Sequence, residues 1–389
     1  MRSDNQDSAQ IHSSSLVIDT HADTPQRFLD EQWEFTGPLA STRSTGQINL
    51  ASARAGNLAA EFFALWVDPG QHPKEQYVSR TLTLLDAVRE QVRRHPQELA
   101  LCLKPEDVLA ARSQGRFAVL LGIEGGHSIA NSLALLRCYH VLGVRYMTLT
   151  WANSNDWAES SGDLRDLCGA HGVRSGLTEF GRQVIAEMNR IGMMVDVSHA
   201  SDQTLADVLA ATRVPIIASH SSARALCDSP RNLTDDQLRA IAANGGAIMV
   251  NFYAAFLDDA FRQALNALKP EREEAHRRLA AQYAPGTPLP FYLTNAIDRE
   301  FAARVPRPSF ETLIDHFDHI LRVAGVEHVG VGTDFDGISA LPEGIDSAAD
   351  LPKITAALLA RGHSADDMRK VLGGNLMRVF AAVQAAAEP

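Results

Sequence analysis

The chain has 389 residues, 45% of them hydrophobic and 21% charged, which is ample apolar material for a large core. Its formal net charge of −11 argues against a general nucleic-acid partner, which would want a basic face. The four cysteines, Cys102, Cys138, Cys168 and Cys227, are widely spaced and form no Cys-x-x-Cys pair, so neither a cysteine zinc site nor a redox motif is suggested; they suit ordinary thiols in a reducing compartment.

Met1 to Ser14 is polar and lacks the apolar stretch of a signal peptide, and no apolar run approaches the roughly 20 residues that span a bilayer. The expectation is a soluble, cytoplasmic protein without membrane contact, with residues 1–13 as a flexible tail and 14–389 as one domain. Leu16 to Ile18 begins a buried strand that stops in Asp19-Thr20-His21-Ala22-Asp23-Thr24-Pro25. An irregular stretch from Phe28 to Gly46 follows, then a second strand over Glu61–Val67 and a helix over Lys74–His95. Phe117–Ile123 is a third strand running into Glu124-Gly125-Gly126-His127, and a helix to about Leu142 follows. Tyr146–Thr150 is a fourth, entering the polar stretch from Trp151 to Asp163. After a helix over Gly176–Ile191 comes a fifth strand, Met193–Val197, ending in Ser198-His199.

Ser201 or Asp202 caps the next short helix. Pro215–Ala218 is a sixth strand, ending in Ser219-His220. Thr234 caps a helix to Asn244, and Ala247–Phe252 is a seventh strand. Residues 253–308 break the rhythm and read as an insertion serving as a lid or a subunit contact, compatible with a homodimer. A helix over Phe310–Ala324 leads to an eighth strand, His328–Gly332, ending in Thr333-Asp334-Phe335-Asp336. Eight short apolar strands alternating with helices predict an α/β fold, a TIM-type (β/α)8 barrel. The alternative, an open doubly wound sheet, lacks its Gly-x-Gly-x-x-Gly after the first strand.

In such a barrel all strand C-termini face one mouth, where active sites are built. The first strand brings His21 and Asp23, whose spacing by two projects them together; the third brings Glu124, the fifth and sixth His199 and His220, the eighth Asp334. Any one of these reads equally well as a satisfied polar residue or a cap. Six meeting at one face points to metal chemistry. Three histidines with carboxylates and no thiolate suit zinc, and five ligand candidates suggest two ions sharing a carboxylate, with Asp334 left over as proton shuttle. Hydrolysis is the chemistry this favours. His12, His127 and His171 are not directly at strand ends and read as structural.

The segments DTHADTP, GIEGG, RYMTLT, VDVSHAS, SHSSARAL, SPRNLTDD, GVGTDFDG and GGNLMRVF, in that order along nearly the whole chain, resemble the membrane (renal) dipeptidase family, zinc peptidases of the amidohydrolase superfamily. The resemblance implies the metal-dependent hydrolase kind of barrel and two Zn2+ per chain. His21 and Asp23 would bind one ion, His199 and His220 the other, and Glu124 would bridge them. It further implies Asp334 as the group that holds the substrate amine and moves the proton, and Arg231 as the grip on the terminal carboxylate of a small dipeptide, with D-residues tolerated at the C-terminal position. One position departs: better-known members carry a histidine after Leu-Thr of the fourth strand, where this chain has Trp151. That departure keeps two further readings open: an amidase for another small amide such as an N-acyl amino acid or β-lactam, or a metal-binding relative that has lost catalysis.

Overall fold

The computed structural model describes residues 2–162 and 176–388; Cys168, His171 and Asp163 lie outside the described residues. Nine strands are present among them: β1 (Val17–Ala22), β2 (Leu58–Trp66), β3 (Leu99–Leu101), β4 (Phe117–Glu124), β5 (Val144–Thr148), β6 (Met194–Asp196), β7 (Ile217–Ala218), β8 (Ala247–Val250) and β9 (Val329–Val331). All pairings between them are parallel, and the order β2-β1-β9-β8-β7-β6-β5-β4 closes on itself through β2 and β4. This is the eight-stave (β/α)8 barrel expected from the apolar runs. The ninth strand, β3, is too short to read from periodicity. It lies outside the ring, paired with the start of β4 at Phe117–Val119, while β5 takes the later part from Leu121 to Glu124.

Alternation along the staves sorts side chains into two layers. Ala118 and Leu120 of β4 join Ile18, Phe62, Tyr146, Met194, Ile217 and Met249 in the barrel interior. Val119, Leu121 and Ile123 face the outer helices with Val195, Ile248 and Val250. The C-terminal helix, Asn375–Ala385, adds Leu376, Val379, Phe380 and Val383 to the interior cluster, so one end of the barrel is plugged and the other left for the site. Gly122 is required by this packing: a Cβ there would lie 2.1 Å from the Tyr146 ring.

Two expectations are corrected. The segment read as a loose tail is a helix, Arg2–Ser14, anchored by His12, whose ring nitrogens reach Thr355 Oγ1 (2.7 Å) and the Gly56 carbonyl (2.8 Å). Its polar sequence hid the helix, because among its described side chains docking rests on His12 and Ile11. The stretch read as irregular from Phe28 to Gly46 begins inside a helix, Pro25–Asp30, which has proline at its first turn. The two capping expectations are met: Ser201 accepts from Thr204 N, and Thr234 forms a reciprocal box with Gln237. The 253–308 segment carries helices Ala254–Leu257, Asp259–Ala267, Lys269–Ala280 and Phe291–Ala302. No helix of the described residues is long and apolar enough to cross a membrane.

Candidate metal centre

The residues expected at strand ends converge. His21 arrives by an irregularity rather than by simple alternation, because the β1–β2 register shifts between Asp19 and Ala22. Neighbouring residues therefore both reach across the barrel: Thr20 donates to the Ser219 and Val331 carbonyls, and His21 meets Tyr146 and Glu124. Glu124, the last residue of β4, is 3% exposed. Its Oε1 lies 2.8 Å from His199 Nε2 and 3.5 Å from His220 Nε2, and its Oε2 lies 3.5 Å from His21 Nε2. One carboxylate thus spans two groups of ligand atoms. His199 Nε2 and His220 Nε2 are 3.0 Å apart, and Asp23 Oδ2 is 3.5 Å from His21 Nε2.

Hydrogen bonding decides which imidazole nitrogens are free. Tyr146 Oη donates to the Thr20 carbonyl (3.1 Å), so toward His21 it accepts, from Nδ1–H at 2.9 Å. That leaves Nε2 as the His21 nitrogen available to a metal, aimed at two carboxylate oxygens. Ser219 Oγ likewise donates to Asp196 Oδ2 (2.6 Å) and accepts from His220 Nδ1 (2.7 Å), which frees the lone pair of His220 Nε2. Asp196 is further held by Ser198 N, Ser219 N and Thr148 Oγ1. Burial first, and then nearby Arg231, pushes His199 down to about 4; burial, followed by His21 and Arg231, carries His220 in the same direction. Both rings are accordingly neutral near pH 7, the form that ligates.

These features fit a divalent metal. Imidazole nitrogens and carboxylate oxygens face one another here; although burial lowers it, Tyr146 and Glu124 hold His21 well above its ordinary value, so the spot favours positive charge, and His21 Nε2 and Asp23 Oδ1 are buried with no hydrogen-bond partner. Two candidate clusters share His21: His21–Glu124–His220 and His21–Asp23–Asp334. The backbone is strained here, with His199 (φ 66°), Asp334 (φ 63°) and Asp336 (φ 66°) in the left-handed region. Such conformations cost of order 1–3 kcal/mol each and gather at functional sites.

Asp334 is buried, and its Oδ2 accepts from Asn251 Nδ2 at 2.9 Å. Burial, reinforced by Asp23 and Glu124, lifts its carboxyl to about 7. Arg231 is 7% exposed, with Nη1 on Ser221 Oγ (2.9 Å), Nη2 on the His220 carbonyl (3.0 Å) and a buried Nε without a partner. Trp151 tilts over Trp66 at 4.8 Å and approaches His199 at 6.4 Å. Above the centre opens a cleft of about 630 Å3, lined by Asp23, Glu124, His199, Asp334 and Trp151 and by residues of the 253–308 segment. Of the histidines read as structural, the two within the described residues behave so: His127 Nε2 meets the Val67 carbonyl, and His12 anchors the first helix. Tyr146, Asp196, Ser219 and Asn251 were not picked out from the sequence. Only Asp196 carried a signal there, a charge inside an apolar run.

A family model described as membrane dipeptidase, peptidase family M19, matches residues 5–389. The chain is 35% identical over 343 residues to dipeptidase 3 of Rattus norvegicus, covering 88% of this chain and 60% of that protein. It thus spans about three fifths of that curated relative. Among solved structures, the probable dipeptidase PvdM from Pseudomonas aeruginosa superposes with a TM-score of 0.82 at 26% identity, covering 99% of this chain and 100% of that one. Dipeptidase AC, a metallopeptidase of family M19, superposes at 0.77 and 25% identity, covering 95% and 99%.

Proposed function

Because the chain belongs to the membrane dipeptidase family, peptidase family M19, we propose that it is a zinc-dependent dipeptidase that hydrolyses the peptide bond of free dipeptides. The observation that carries this reading is the Glu124 carboxylate, one oxygen facing His199 and His220 and the other facing His21. His21 and Asp23 would hold one ion, His199 and His220 a second, with Glu124 shared. The nitrogen- and oxygen-rich donor set supports zinc. Ions held there would polarise the scissile carbonyl and activate water at neutral pH.

The chain's own residues do the rest. Tyr146 and the Ser219–Asp196 pair keep two imidazoles in the ligating tautomer. Asp334, steadied by Asn251, carries the proton to the leaving amine; a carboxyl lifted to about 7 is suited to both accept and release it. Arg231 pairs with the substrate's terminal carboxylate through its unpartnered Nε, supported by its burial beside His220.

The test is a panel of free and blocked dipeptides on metal-replete protein, with and without chelator. Turnover of free dipeptides, lost on chelation and restored by zinc, is expected. No turnover of any free dipeptide would remove the reading. Trp151 favours a second reading, an amidase for other small amides, which equal cleavage of blocked and free substrates would support. A reducing, cytoplasmic setting is part of the proposal, supported by the free thiols Cys102, Cys138 and Cys227. Thiol titration of denatured, unreduced protein should find every cysteine reactive, and fewer would count against that setting.

A further inference from the structure

Three aromatic rings from distant parts of the chain form one wall of the cleft. Trp66 ends β2, Trp151 follows β5, and Phe291 opens the helix Phe291–Ala302 of the inserted segment. Trp151 lies 4.8 Å from Trp66 at 55°, and Phe291 meets Trp66 edge-on at 5.7 Å and 73°. Such offsets are favourable aromatic packing and leave flat apolar surface turned to the cavity. Trp66 is almost fully buried, whereas Trp151 and Phe291 are only half-buried. The wall stands on the staves beside Glu124. The groups assigned to the substrate's termini, Arg231 in the segment between β7 and the helix Asp235–Ala243 and Asp334 just after β9, come from across the ring. On the inserted segment, Arg272 and His276 are both turned to Asp298, at 3.5 and 3.1 Å, so both side chains already have a partner.

We propose that Trp151, with Trp66 and Phe291, is the specificity-determining wall of the site, and that preferred substrates present a large apolar or aromatic side chain to it. The inference rests on the dipeptidase reading and names the substrate class within it. An indole takes more apolar surface from water than an imidazole would, and it offers a donor but no acceptor. Discrimination therefore runs toward flat apolar side chains and away from glycine and charged residues.

The test compares kcat/KM for dipeptides in which each residue in turn is Gly, Leu, Phe or Glu. At one of the two positions Phe or Leu should exceed Gly and Glu by roughly tenfold or more. Trp151→Ala should collapse that ratio, mainly through KM, with metal content per chain unchanged, and Trp151→Phe should restore most of it. A flat panel, or a ratio untouched by Trp151→Ala, would overturn the inference. Indole fluorescence titrated with non-hydrolysable phosphinate analogues bearing Gly or Phe side chains reads the same preference without turnover. Equal affinities there overturn the wall's role, whereas a preserved preference with no dipeptide cleaved removes only the dipeptidase reading.

Discussion

Replacing Tyr146 by phenylalanine removes one oxygen from a position with no exposure to solvent. The ring's packing against Phe62 at 5.1 Å is retained, so the change is confined to the hydroxyl. That hydroxyl accepts His21 Nδ1–H at 2.9 Å and donates to the Thr20 carbonyl at 3.1 Å. Without it, His21 either keeps a buried, unsatisfied N–H, at about 1–3 kcal/mol, or moves its proton to Nε2 and loses the lone pair that faces Asp23 and Glu124. Either route weakens metal binding at the His21 side, by about 10–100-fold for loss of such an outer hydrogen bond. Competition with a chelator measures the metal Kd, and urea unfolding of metal-free protein measures stability. The account expects the Kd of one ion to rise by that factor and stability to fall by about 1–3 kcal/mol. A folded variant with unchanged metal affinity would refute the claim that Tyr146 sets the tautomer.

Ser219→Ala breaks the link between Asp196 and His220, and should weaken the ion on the His199–His220 side by a similar 10–100-fold in the same competition assay. His12→Ala removes the contacts to Thr355 and Gly56 and should cost about 1–3 kcal/mol in urea unfolding, with metal content unchanged; no loss would mean the first helix is not docked. One share of the pH dependence comes from His316, which accepts Ala223 N at Nδ1 and reaches the Leu257 carbonyl with Nε2. Burial pushes it down to about 4 from the usual 6.5, so the unfolded chain takes up the proton first. Its contribution is present above pH 6.5 and is lost as pH falls toward 4, amounting to roughly 3 kcal/mol when complete. Urea midpoints of metal-free protein should drop over that interval, and His316→Gln should flatten the slope; an unaltered slope would contradict the assignment.

The barrel and the convergence of the candidate ligands were legible in the sequence because five of the eight apolar runs end abruptly in a residue able to bind metal, and a closed parallel barrel carries all such ends to one mouth. What was not legible depends on contacts between distant staves. Tyr146 reads as one more apolar strand residue until Gly122 makes room for its ring and His21 meets its hydroxyl. Ser219 is an unremarkable serine until its hydroxyl donates to Asp196, 23 positions earlier. His21 and Asp23 project together as their spacing implies, but the register shift between Asp19 and Ala22 that sets the phase of His21 left no trace in the sequence. β3, three residues long, leaves too few positions for a period to show.

The shared role of Glu124 is tested most directly by elemental analysis, reported as divalent ions per chain, for purified wild-type protein and for Glu124→Gln. Two ions in the wild type and no more than one in the variant, with hydrolysis lost, is the predicted pair of results. An active wild type carrying fewer than two ions, or a variant that keeps both, would contradict a carboxylate that spans the pair.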